Sequence, residues 1–141
     1  MLLIVEGDQV PLILLLDTNG KVLEINNTAL KIANLKTEDV ITKPFWDCYW
    51  WQHSASERER IKTAVTEGIA GRTSRFDITA QMKDQVMILD FMLAPMFDEQ
   101  GKLIFLIPSA IDISARTHSE AQLRESELRF RRVFDSAADG L

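Results

Sequence analysis

One cysteine, Cys48, and two histidines, His53 and His118, are the only thiol and imidazole groups in 141 residues. A lone thiol forms no intramolecular disulfide, which fits a reducing compartment, and a cytoplasmic location is expected. Two distant imidazoles and one thiol make no credible metal set without several carboxylates, so no metal is expected. No Lys/Arg cluster interrupts a net charge of −5, which leaves nucleic acid and anionic membranes without a footprint. The apolar run Leu12 to Leu16 is too short to span a bilayer, and Met1 to Val5 lacks the flanks of a secretion signal. Gly-x-Ser-x-Gly, a phosphate loop and His-Glu-x-x-His are also missing, and no catalytic residue is assigned.

What is present is enough apolar content, 46%, to bury one core. Val10 to Leu16 is a dense apolar run, and Lys21 to Asn26 alternates after Asp17-Thr18-Asn19-Gly20. An Asn-Gly pair between two such runs predicts a hairpin, since both residues tolerate positive φ. Asn27-Thr28 supplies cap chemistry for a short helix around Ala29 to Ala33, and Thr37-Glu38-Asp39 starts another that stops near Pro44. Ser54 to Ala70 predicts the main helix: Ser54 or Ser56 caps it, Glu57 and Glu59 suit its first turn, and Ile61, Ala64, Val65 and Ile69 share one face. Gly68 and Gly71 mark its end.

Arg75 to Met82 then alternates as a half-buried strand, and Val86 to Phe97 and Leu103 to Ile113 are two more, joined by Asp98-Glu99-Gln100-Gly101. Pro108 falls inside the last of these, where its missing N–H predicts a bulge or irregular pairing. The order implies an α+β fold, a five-stranded antiparallel sheet covered by helices on one face. A charged stretch without glycine until Gly140 reads as a helix leaving the core, and its five arginines balance five acids.

The sequence Leu-Asp-Thr-Asn-Gly-Lys-Val, then Asn26-Asn27-Thr28-Ala29-Leu30, Pro44-Phe45-Trp46, the Ser54 to Ala70 helix, Ala94-Pro95-Met96 and Asp112-Ile113-Ser114 together resemble PAS sensory domains. The resemblance covers Val10 to Ser114. It implies a lead-in over 1–9, a PAS domain over 10–114 and a C-terminal signalling helix from 115. Residues Glu127 to Leu141 resemble the lead-in of a second PAS domain, which implies a longer receptor, most often a sensor histidine kinase and sometimes a cyclic-dinucleotide (diguanylate) cyclase. In the family, the triplet Asp112, Ile113 and Ser114 joins the last strand to the signalling helix. These three are therefore the expected signal-coupling residues.

Leu123, Phe130, Phe134 and Ala137 follow a short, imperfect heptad, which fits a homodimer seam or a helix packed on its own domain. All three tryptophans and the only tyrosine lie between Trp46 and Trp51. These rings either close the core or, with Phe76 and Ile78, make Trp46, Trp50 and Trp51 the lining of a pocket for an unidentified small ligand. Neither flavin nor haem is expected. Cys48 lacks the Asn-Cys-Arg setting of the flavin-binding branch and sits beside Asp47, which opposes a thiolate, while His53 precedes the helix that carries a haem ligand in the oxygen-sensing branch.

Asp90 interrupts an apolar strand and faces either solvent or a ligand. The reading is a non-catalytic sensing and dimerising module that relays a signal through its exit helix. Two alternatives stand beside it: a small pocket isomerase or dehydratase using Asp90 with His53, and a ligand-free spacer.

Overall fold

The computed structural model describes residues 11–114. The predicted exit helix with Leu123, Phe130 and Phe134, and the lead-in over 1–9, lie outside the described residues. Within them the chain forms β1 (Leu12–Leu16), β2 (Val22–Ile25), α1 (Asn27–Ala33), α2 (Ala55–Ile69), β3 (Ser74–Gln81), β4 (Val86–Phe97) and β5 (Leu103–Asp112). Short 3-10 turns occupy Thr37–Asp39, Phe45–Asp47 and Tyr49–Trp51. The strands make one antiparallel sheet in the order β2-β1-β5-β4-β3, the expected α+β architecture.

Two hairpins use one turn device. Asp17 and Asp98 each point a carboxylate oxygen back at the backbone: Asp17 Oδ1 accepts from the N–H groups of Asn19 and Lys21, and Asp98 Oδ1 from those of Gln100 and Lys102. The left-handed step falls on Gly20 (φ 86°) and Gly101 (φ 82°). Asn19 stays outside that region, so the first turn is a longer, glycine-closed loop rather than a two-residue Asn-Gly turn.

The cap of α1 is Asn26, one residue before the expected pair. Its Oδ1 accepts from Ala29 N and from Ile13 N, while its Nδ2 donates to the Pro11 carbonyl at 2.8 Å. One side chain thus starts the helix and ties it to β1.

Helix α2 starts at Ser54, whose hydroxyl accepts from Glu57 N. Its buried row is Ile61, Ala64, Val65 and Gly68, and Ile69, expected on that face, is 45% exposed. Gly68 takes its place because the helix lies so close to the sheet: a Cβ there would stand 2.6 Å from Leu93 Cδ2 and 2.9 Å from Leu106 Cδ2.

Pro108 causes no bulge in the β4–β5 ladder, which passes through Leu93/Pro108 in register and shifts only between Met96 and Phe97. The accommodation is on the β1 side. Partners there are Leu12/Ala110, Ile13/Ser109 and Leu16/Leu106, which leaves no paired step opposite Ile107 and Pro108. A residue without an N–H is tolerated where the ladder is already open.

The inner face of the sheet carries Leu14, Ile78, Phe91, Leu93 and Leu106, all buried. The outer face carries exposed apolar residues, among them Ile13, Met92 and Met96.

Candidate functional site

Between the 3-10 turns and the inner face of the sheet lies a cavity of about 20 Å³. Leu14 and Pro108 line it from the central strands, Phe91 from β4, and Phe45, Trp50 and Trp51 from the turns. The rings interlock: Phe45 meets Trp51 edge-on at 5.6 Å, and Trp51 meets Phe91 edge-on at 6.1 Å. They fill the core, as large aromatics do by area. Yet Trp50 and Trp51 are each only 3% exposed, and neither indole Nε1–H has a hydrogen-bond partner.

The other expected lining residues lie elsewhere. Trp46 is half-buried over Gly20 and takes the Lys62 ammonium on its ring at 5.8 Å. Phe76 lines an open groove between α2 and β3, under the Arg60 guanidinium at 4.4 Å. Ile78 is buried in the core without reaching the cavity.

The end of β5 is fastened by the expected triplet, with one task per residue. Asp112 Oδ1 accepts from Ser114 N at 2.9 Å and folds the backbone out of the strand. Ile113 plugs the core, and its N–H reaches the Ile88 carbonyl. Ser114 Oγ accepts from Ile88 N at 3.1 Å and so extends the β4 ladder by a side chain. The last strand therefore cannot shift along β4 without breaking these bonds.

A third feature escaped the sequence. Glu57, expected only as a favourable first-turn charge, is 9% exposed and reaches across to the edge strand. Its Oε2 accepts from Thr79 N at 2.6 Å and Thr79 Oγ1 at 2.9 Å, and its Oε1 accepts from Arg60 Nη1 at 3.0 Å. Burial, the largest single influence, pushes this carboxyl up. The Thr79 backbone N–H, Arg60 and the Thr79 hydroxyl outweigh it and hold the group below the ordinary glutamate range. Because the Thr79 hydroxyl spends its one proton on Glu57, it accepts from His53 Nε2 at 3.0 Å, so that nitrogen carries hydrogen. A glutamate that reaches a strand 22 residues later has no signature in the helix pattern.

Asp90 is on the outer face, in a two-point ion pair with Arg75 at 2.7 and 3.1 Å. Neither it nor His53 lines the cavity, so the acid/base pair of the enzyme alternative does not share a pocket. Cys48 is buried, its thiol pushed up to about 12 by burial, with Lys43 lowering it and Asp47 raising it. Among the described residues no group of three His, Cys, Asp or Glu could hold a metal, and no helix is long and apolar enough to cross a membrane.

Comparison with known proteins gives a consistent answer. Residues 5–118 match the family model described as PAS fold. The chain is 37% identical over 112 residues to the sensor histidine kinase TmoS of Ectopseudomonas mendocina, covering 77% of this chain and 12% of that protein. It is 26% identical over 124 residues to the hybrid signal transduction histidine kinase D of Dictyostelium discoideum, covering 86% of this chain and 8% of that one. The chain thus spans about a tenth of the curated relatives it matches. The solved PAS domain of Bordetella pertussis BvgS superposes with a TM-score of 0.62 at 16% identity, covering 84% of this chain and 88% of that one. A family match from the lead-in to just past Ser114, on a sheet of this order, fixes the assignment: the chain belongs to the PAS-fold family.

Proposed function

We propose that this chain is a non-catalytic sensory module that passes a structural change from its core to an output domain through β5 and the residues after Ser114. The supporting observation is the fastening of β5: Pro108 and Ala110 wall the cavity, and three and four residues past Ala110 the Ile113 N–H and Ser114 Oγ bind the chain to Ile88, with Asp112 holding Ser114 N. A push on the cavity wall is thereby delivered to the point where the chain leaves the sheet. The likeness to histidine kinases supports a parent sensor kinase; in this reading the module faces the cytoplasm, the kinase feeds a phosphorelay, and Glu127 to Leu141 begin a second PAS domain.

The module acts as a homodimer, with Leu123, Phe130 and Phe134 on the seam. The exposed apolar residues of the outer face, Ile13, Met92 and Met96, support a partner on that side of the sheet. Native mass spectrometry of the chain tests the dimer directly, and a monomer at micromolar concentration would remove it. The relay is tested by Asp112→Ala in the full-length receptor. Autophosphorylation uncoupled from the stimulus, with the domain's fold intact by circular dichroism, is the expected result, and unaltered coupling would refute the relay.

A further inference from the structure

The two edges of the sheet are finished differently. Along β2 the outward backbone groups are already taken: Val22 N donates to the Lys43 carbonyl, Thr42 N donates to the Val22 carbonyl, and Lys21 bridges to Pro44. Along β3 they are not. Thr79 lies opposite Ile88, whose N–H and carbonyl turn the other way, to Ser114 and Ile113. By strand alternation Thr79, Asp77 and Arg75 therefore direct their N–H and C=O groups away from β4. Glu57 covers this row at Thr79 N. Arg75 and Asp77 are exposed, and among the described residues no further hydrogen bond is made on this side.

An open edge is a template for another strand, and the side chains beside it select which one. Asp77 stands directly opposite Asp90 on β4, a like-charge pair that destabilises a sheet. Arg75 spends its two-point bond on Asp90, and Asp77 makes no ion pair among the described residues. A cation on the open side of Asp77 would offset the repulsion.

We propose that β3 pairs edge to edge with β3 of a second copy of this chain, antiparallel about a twofold axis at Phe76, so that Arg75 faces the partner's Asp77 and Asp77 faces the partner's Arg75. Charge fixes the register. Sliding one strand by two residues sets Arg75 against the partner's Arg75, or else Asp77 against the partner's Asp77. The second of these slides also needs the Thr79 N–H, which Glu57 holds. In the favoured register Arg75 and Asp77 are the hydrogen-bonded positions, and pairing stops before Thr79. Phe76 lies between them at a non-hydrogen-bonded pair, where facing side chains come closest. The two Phe76 rings, each lining an open groove between its own α2 and β3, then face one another across the axis. This contact is separate from the exit-helix seam of the proposed function and joins the two sheets into one. A contact this short is weak by itself, so high concentration reveals it.

Amide exchange of the ¹⁵N-labelled 141-residue chain is measured by NMR at about 50 μM and about 1 mM, which brackets a Kd of roughly 0.1 mM. At that Kd mass action lowers the monomer fraction about threefold between the two samples. Exchange at Arg75 and Asp77 should slow by the same factor, while Thr79, already bonded to Glu57, stays unchanged. Arg75→Glu and Asp77→Arg each set like charges face to face and should weaken self-association by roughly tenfold in sedimentation equilibrium. An equimolar mixture of the two variants should restore it, because each reversed charge then meets its opposite. Exchange at Arg75 and Asp77 that does not change with concentration overturns the proposal, as does a mixture no tighter than either variant alone. The wild-type spectra decide even if a variant fails to fold. Self-association that leaves these two amides unmoved removes the edge contact and leaves the exit-helix dimer standing, so the same samples tell the two contacts apart.

Discussion

Replacing Glu57 with alanine should loosen the edge of the sheet at Thr79. The carboxylate is the sole support of the Thr79 N–H on the unpaired side of β3, and it also takes the Thr79 hydroxyl and Arg60. Orphaning the N–H costs about 1–3 kcal/mol, and the lost bond from the hydroxyl adds about 1. The Arg60 pair adds at most about 1, because the arginine side chain is 44% exposed. Alanine returns a few tenths through helix propensity. The terms share one group and do not add fully, so Glu57→Ala should destabilise by about 2–4 kcal/mol, and Glu57→Gln, which keeps one acceptor, by about 1–2.

Urea unfolding at neutral pH reads both values. Acid supplies an independent check. The folded-state pKa of Glu57 is lowered, so its contribution is present above the unfolded glutamate value of about 4.3 and is lost as pH falls through the lower folded value. Wild type should therefore lose its advantage over Glu57→Gln in that window. A loss below about 0.5 kcal/mol for Glu57→Ala at unchanged m, or parallel acid profiles for wild type and Glu57→Gln, would refute the reasoning.

Gly68→Ala gains up to about 1 kcal/mol of helix propensity but presses a methyl into Leu93 and Leu106, so a net loss of about 1–2 kcal/mol is expected by urea denaturation. Ser114→Ala leaves Ile88 N without its side-chain acceptor, and amide exchange at Ile88 should rise about tenfold while the core stays protected. Cys48, buried and raised to about 12, should resist a thiol reagent at pH 8 until the chain unfolds, at a rate set by the opening equilibrium. Because the folded thiol holds its proton longer than the unfolded one, its contribution is present below the ordinary thiol range of about 8.5 and is lost as pH climbs toward about 12. Rapid labelling of the native chain would contradict the buried position.

Periodicity carried the fold a long way. The alternation of Phe76, Ile78 and Ala80 and the stripe of Ile61, Ala64 and Val65 are strong because each residue answers to one face of one element. Errors came where neighbours set the outcome. Ile69 was expected inside by spacing, yet the helix rests on the sheet through Gly68, an approach that depends on Leu93 and Leu106 from two other strands. Pro108 predicts a bulge or irregular pairing by local chemistry, and the irregularity is there, as a gap in the ladder to β1, while the β4–β5 ladder runs through Pro108 without a bulge. At the site, the triplet Asp112, Ile113 and Ser114 was legible as a motif, and the aromatic cluster was legible as a concentration of rings. Which tryptophans face the cavity was not, because 3-10 turns at Phe45–Asp47 and Tyr49–Trp51 orient them with no period long enough to read.

The two aspartate-anchored turns also set a timetable for the folding chain. Each closes within five residues through bonds from a single side chain, so the β1–β2 and β4–β5 hairpins can form in microseconds. Joining β1 to β5 instead spans nearly the whole described chain, from Leu12 to Ala110, and carries the large loop-closure entropy of a distant pairing. The hairpins are ready early and the centre of the sheet waits. Pulse-labelled hydrogen exchange should therefore record protection last along the join between Leu12 and Ala110, so the seam left open opposite Ile107 and Pro108 is also the one that folding shuts at the end.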